Sequence, residues 1–191
     1  MTEAVDVRLF VAAEVPVELR EALAETSAAL RGCVRGRFVG ADSLHVTLAF
    51  LGEVAGARVE DASAALERGC RRFSGFDVEL GELGCFGKRS KATLWQGFRD
   101  AGALPEIAES VRRELRAVGF AFDEKAFLPH VTLMRTADLT SGTLPVPVCT
   151  GGPGMSEGVV SVGRITTVTL FRSDLSGKRP VYEPLHSVEL T

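Results

Sequence analysis

Only three histidines occur in this 191-residue chain, and two of them sit in the same tetrapeptide. His45-Val46-Thr47-Leu48 in the first half recurs as His130-Val131-Thr132-Leu133 in the second. Each copy lies in a run of β-branched and apolar residues that alternates as a strand does. On a strand His45 and Thr47 share one face while Val46 and Leu48 share the other. His130 and Thr132 stand over Val131 and Leu133 in the same way. The apolar face anchors the strand to a core, and the opposite face offers an imidazole with a hydroxyl about 7 Å further along. Two such faces set against each other make a site of two histidines and two hydroxyls.

Two opposed imidazoles support proton transfer on both sides of one reacting centre. In displacement at phosphorus the attacking and departing oxygens lie roughly in line. One histidine takes a proton from the attacking water while the other gives a proton to the leaving oxygen, and imidazole performs either task near neutral pH. The threonine hydroxyls suit the non-bridging phosphate oxygens. This chemistry needs no metal or other cofactor. The sequence carries no Walker-type loop, no G-x-S-x-G elbow and no metal-ligand spacing.

A single His-Val-Thr-Leu would read as an ordinary strand residue; the duplication changes that reading. His186, the third histidine, follows Tyr182 in phase on the last strand and reads as structural. Arg135 follows the second motif and could hold an anion, but strict alternation places it opposite His130 and Thr132, so a bulge is needed to bring it round. Lys88-Arg89-Ser90-Lys91 reads first as a solvated turn and second as an RNA contact. Trp95 and Phe10 read as core residues that could also serve a nucleotide.

These residues need elements to position them. A strand over Val5 to Ala13 opens the chain, and Pro16 sits where a helix can begin. Leu19, Leu23, Ala24 and Leu30 follow at helical spacing, ended by Gly32. A basic loop, Arg35-Gly36-Arg37, leads to the first motif strand, His45 to Leu51. A helix over Ala57 to Phe73, strands Phe76 to Leu83 and Ala92 to Phe98, and a helix over Leu104 to Val118 precede the second motif strand. Thr140 to Gly158 is rich in Gly, Pro, Ser and Thr and reads as a loop. Strands over Val159 to Ser173, interrupted at Gly163, and over Val181 to Leu190 close the chain through hairpin-type turn residues. Helices and hairpin-like strands alternate, which predicts an α+β fold of mostly antiparallel sheet. The recurrence of a helix followed by a His-x-Thr strand predicts two lobes related by a pseudo-twofold axis, with the motif strands facing each other in one domain spanning 1–191.

Composition sets outer limits. The 46% hydrophobic and 25% charged content is that of a globular domain. A net charge of −3 argues against a broad phosphate-backbone surface but leaves room for a small basic pocket. No stretch is long and apolar enough to span a membrane. Cys33, Cys70, Cys85 and Cys149 form no C-x-x-C pair, so the expected setting is a reducing cytoplasm.

The pattern Arg8-Leu9-Phe10-Val11-Ala12 resembles the bacterial and archaeal RNA 2′,3′-cyclic phosphodiesterases, historically called 2′-5′ RNA ligases, within the two-histidine phosphoesterase superfamily. So do His45 through Gly52, Pro129 through Arg135, and the ending Leu170-Phe171-Arg172-Ser173, Gly177 and Tyr182-Glu183-Pro184-Leu185. The resemblance implies a bilobal fold with a central cleft and hydrolysis of a 2′,3′-cyclic phosphate RNA end to a 2′-phosphomonoester. It implies His45 as proton donor and His130 as proton acceptor, with phosphate contacts from Thr47 and Thr132 and a substrate contact from Arg135; Phe10 joins these as a substrate-binding candidate on its residue type alone. The near-symmetric sequence itself does not decide which histidine is acid and which is base. The expected partners are RNA 3′ ends or small nucleotides bearing the cyclic phosphate, met by a monomer. Two other readings stand beside this one: 2′-5′ RNA joining by the reverse chemistry, and a nucleotide-binding module without catalysis.

Overall fold

A computed structural model describes residues 6–122, 125–140, 148–149, 161–177 and 179–191. Its elements in chain order are β1 (Asp6–Glu14), α1 (Val17–Arg31), β2 (Arg35–Phe38), β3 (His45–Ala55), α2 (Val59–Cys70), β4 (Phe76–Phe86) and β5 (Ala92–Asp100), then α3 (Leu104–Ala117), β6 (His130–Asp138), β7 (Val148–Cys149), β8 (Val162–Ile165), β9 (Thr167–Asp174) and β10 (Val181–Glu189). The strands form two sheets. One has the order β10-β9-β1-β3, and the other β2-β6-β5-β4-β7 with β8 also paired to β4. Only the β4–β7 pairing is parallel among the described strands. The fold is the expected α+β arrangement of two antiparallel lobes, and the two motif strands, in different sheets, touch across the boundary between them.

The elements follow from their apolar spacing. Leu9, Val11 and Ala13 alternate along β1 and are fully buried, which sets one face of that strand against the core. Leu104, Ile107, Ala108, Val111 and Leu115 recur every three or four residues on α3 and are buried likewise. Helices α2 and α3 pack together, and α3 also packs on β3. Gly69 permits the helix contact, because a Cβ there would stand 2.8 Å from the Val111 Cα.

Several boundaries differ from the sequence expectation. Arg35-Gly36-Arg37 is the edge strand β2, paired with β6, rather than a loop. Three charged or glycine residues carry no strand periodicity, so only the neighbouring strand reveals the pairing. The strand expected over Val159 to Ser173 breaks at Thr166, not Gly163. Its first part, β8, pairs with β4, and its second part, β9, pairs with β1, so the chain changes sheets there. The expected loop over Thr140 to Gly158 lies outside the described residues apart from Thr140 and β7.

The open face of the second sheet is shaped by its glycines. Trp95 on β5 is paired with Gly84 on β4, and its indole lies where a Gly84 side chain would stand. Gly84→Ala is expected to cost about 1–3 kcal/mol by overpacking and to displace the indole. Since Trp95 is the sole tryptophan, its fluorescence reports the displacement directly. An unchanged emission spectrum and melting temperature would show that the indole does not rest there.

Candidate active site

His45 and His130 each begin a motif strand, and each imidazole is held by the same local bond. The His45 Nδ1 lies 2.8 Å from the Ser43 carbonyl oxygen, and the His130 Nδ1 lies 2.7 Å from that of Leu128. A carbonyl only accepts, so in both rings Nδ1 carries the proton. Nε2 is left as the free, basic nitrogen of each neutral imidazole. The carbonyl two residues back thus fixes tautomer and ring orientation together.

Aromatic rings complete each setting. The Phe10 centroid is 4.9 Å from that of His45, and Tyr182 meets His45 edge-on at 5.3 Å. Phe10 also stacks on Phe171 at 5.2 Å. On the other side Phe86 meets His130 edge-on at 5.1 Å and Trp95 lies 5.8 Å away. The two settings differ in exposure: Phe10 is only 3% exposed, whereas Phe86 is 41% exposed. Phe10 therefore packs in the core beside the His45 ring.

A bulge follows the threonine in both strands. Along β6 and β5, Trp95 pairs with Thr132 and Leu94 with Met134, so β6 carries one residue more than its neighbour. Along β3 and β1, Ala12 pairs with Thr47 and Val11 with Ala49, giving the same excess. Leu133 and Met134 are consequently both buried, as are Leu48 and Ala49. The alternation is re-phased, and the next side chain, Arg135, is exposed on the histidine face. The bulge that sequence alternation required for Arg135 is present. In the first lobe the corresponding side chain is Phe50, which is covered by the Arg8 guanidinium 4.7 Å from its centroid.

The electrostatics show three of these groups to be near neighbours. Burial holds the His45 pKa down, to about 4, with further lowering from Arg135 and His130 and an opposing contribution from the Ser43 carbonyl. His130 is lowered by burial and by Arg135, against the Leu128 carbonyl. Both imidazoles sense the same guanidinium, and His45 senses His130. Thr47 and Thr132 are half-buried one alternation along from their histidines. These shifts keep both rings neutral near pH 7 in the free protein. Among the described residues no cluster of His, Cys, Asp and Glu is arranged to hold a metal ion, and no helix is long and apolar enough to cross a membrane.

His186 is not in phase with Tyr182: a bulge at Leu185 turns it to the helix side. There its Nε2 lies 3.0 Å from the Glu67 carboxylate of α2, without hydrogen-bonding geometry, so it is structural as expected. In the Lys88–Lys91 turn, Arg89 is committed to the Leu139 carbonyl at 2.6 Å. Arg112 has a role that sequence reasoning misses. It reaches from α3 to donate to the Leu48 carbonyl at 2.8 Å and to the Lys125 carbonyl at 3.2 Å. It thereby ties the bulged residue of the first motif strand to the segment that precedes His130. One arginine among several on an amphipathic helix gives no sequence signal of such a role.

The buried neutral histidine has a thermodynamic consequence. Its folded pKa of about 4 lies below the ordinary 6.5, so between those values the unfolded chain binds more protons and stability rises with pH. The contribution is complete above pH 6.5 and is lost as pH falls towards 4, amounting to roughly 3 kcal/mol. Denaturant titrations of wild type and His45→Gln across that window should show a flatter pH dependence in the variant. Parallel curves would mean that His45 is not desolvated.

The comparisons with known proteins agree with this geometry. A family model described as the 2'-5' RNA ligase superfamily matches residues 11–144. The RNA 2',3'-cyclic phosphodiesterase of Escherichia coli is 34% identical over 185 residues, covering 96% of this chain and 97% of the relative. That of Thermus thermophilus is 31% identical over 189 residues, covering 96% and 90%. The crystal structure of E. coli LigT complexed with 3'-AMP superposes with a TM-score of 0.76 at 32% identity, covering 98% of this chain and 99% of that one. Duplicated His-x-Thr strands, bulged alike and meeting across two sheets, are thus set in a chain that belongs to the 2'-5' RNA ligase superfamily.

Proposed function

We propose that the chain hydrolyses 2′,3′-cyclic phosphate ends of RNA to 2′-phosphomonoesters, with His45 and His130 as a general acid–base pair and no metal or other cofactor. The observation that carries this reading is the pair of imidazoles, each with Nδ1 held by the carbonyl two residues back and Nε2 free, on motif strands that touch across the two sheets. The relatives named above as RNA 2',3'-cyclic phosphodiesterases support the reaction class.

In the forward reaction the Nε2 of His130 accepts a proton from water as the water oxygen bonds to phosphorus. The bond from phosphorus to O3′ breaks, and a protonated His45 delivers its Nε2 proton to that oxygen. Giving the acid to His45 and the base to His130 follows the family likeness. The low pKa of His45 requires the bound phosphate to stabilise its protonated form, because an opposite charge raises an imidazole pKa. Thr47, Thr132 and Arg135 hold the non-bridging oxygens, where charge gathers in the transition state. Each proton transfer contributes about 10²- to 10⁴-fold in rate. Joining of RNA ends would use the same displacement with an RNA hydroxyl in place of water as the attacking oxygen, and that hydroxyl must outcompete water, which makes hydrolysis the favoured outcome. We read residues 1–191 as one catalytic unit acting as a monomer; the support is that one chain supplies both histidines and Arg135.

Turnover of a short oligoribonucleotide ending in a 2′,3′-cyclic phosphate, in EDTA, tests the reading. Wild type should be active, and His45→Ala and His130→Ala should each lose at least about 10²-fold. Full activity in either variant would remove that histidine from the mechanism, and a folded but inactive wild type would leave a binding module.

The pH profile is a second test. The acid must be protonated and the base neutral, so kcat/KM should be bell-shaped, with limbs that belong to the coupled pair. Because both imidazoles are lowered in the free protein, the maximum should fall below the ordinary imidazole value of about 6.5. A profile flat across neutral pH with chemistry rate-limiting would contradict the acid–base pair.

A further inference from the structure

Beside the cleft, β2 carries an arrangement that folding alone does not favour. In its register with β6, Arg37 stands directly opposite Arg135. Like charges paired across strands are destabilising. Two residues earlier, Arg35 stands opposite Asp138, and the two attract. The same short strand therefore places one arginine against a carboxylate and the other against a second arginine. Neither Arg37 nor Arg135 has a side-chain ion-pair or hydrogen-bond partner among the described residues.

The orientation follows from their neighbours. Phe38 is paired with Met134, which is buried. Arg37 and Arg135 therefore share the opposite face, the one that carries His130 and Thr132. Gly36 makes the pairing possible: it has φ +153°, and a Cβ there would stand 2.8 Å from the Thr136 carbonyl oxygen and 2.7 Å from the Met134 side chain. Thr136 is itself at φ 52°, so β6 is distorted where β2 closes on it.

We propose that Arg37 is a second phosphate-binding residue, which holds the phosphodiester on the 5′ side of the terminal nucleotide while Arg135 serves the cyclic phosphate. This rests on the cyclic phosphodiesterase reading above. Two adjacent guanidiniums that repel each other in the free protein are relieved when each takes an anion, and successive phosphates of a nucleic-acid strand supply two anions in a row. The preferred substrate is then an RNA strand with at least one internucleotide phosphate, rather than a cyclic mononucleotide. The net charge of −3 is compatible, because the contact is local and needs no broad basic surface.

The test compares three substrates: a nucleoside 2′,3′-cyclic phosphate, the same compound bearing a 5′-phosphate, and a dinucleotide ending in the cyclic phosphate. Wild type should favour the two with a 5′-side phosphate, through KM, since that phosphate does not react. Arg37→Gln should lose about tenfold of this preference, and the dinucleotide's salt dependence should weaken by about one phosphate contact. Arg37→Lys should restore part of it. Arg35→Gln, which removes a charge of the same strand already met by Asp138, should keep the preference. Equal losses in Arg35→Gln and Arg37→Gln, or a preference unaltered in Arg37→Gln, would overturn the proposal and leave Arg37 as a charge that guards a sheet edge. No wild-type turnover of any of the three would instead overturn the underlying reaction.

Discussion

The site depends on the surplus residue that follows the threonine in each motif strand. Without the bulge, β3 and β6 would alternate strictly, and the side chain five positions after each histidine would point into the core. With it, Leu48 and Ala49, and likewise Leu133 and Met134, turn inward together, which anchors the strand directly beneath the threonine. The first lobe uses the re-phased position for Phe50 and the second for Arg135. A pseudo-symmetric scaffold thereby yields an asymmetric pair, an aromatic ring at one position and, at the other, a guanidinium that lowers both imidazoles. The carbonyl groups freed by such a bulge need partners, and on β3 the Leu48 carbonyl finds one in Arg112 of α3.

Burial and orientation act together on the histidines. Desolvation lowers both pKa values, and the i−2 carbonyls resist that while fixing Nδ1 as the donor. The free protein is therefore poised with two bases and no acid. An anion in the cleft changes the balance, because a phosphate near Nε2 favours the imidazolium. Substrate binding and the creation of the acid are one event in this account, so the reacting group brings about the protonation state that its own cleavage requires.

The chemistry is legible in the sequence because it is written in residue types: a rare residue repeated in an identical tetrapeptide, on strands whose alternation is plain. The class of fold is legible from the succession of helices and alternating strands. Other features are hidden for identifiable reasons. Bulges have no composition of their own, so strict alternation leaves the phase of Arg135 open and misplaces His186 relative to Tyr182. The strand β2 reads as a loop because an edge strand of Arg-Gly-Arg buries little and alternates nothing. An aromatic residue in a motif gives no measure of its depth, so Phe10 reads both as core and as a nucleotide platform; in the structure it is 3% exposed, beside the imidazole. Side chains that act across lobes, such as Arg112, become visible only when the sheets are assembled.

In the proposed reaction water, activated at one histidine, replaces O3′ on phosphorus while the other histidine protonates the departing oxygen. The most direct measurement is a single turnover of a cyclic-phosphate oligoribonucleotide in heavy-oxygen water, with the product examined by phosphorus NMR and mass spectrometry. Attack of water on phosphorus with loss of O3′ leaves one heavy oxygen, in a phosphomonoester on O2′, with O3′ an unlabelled hydroxyl. A 3′-phosphate, or label in the ribose rather than on phosphorus, would contradict it.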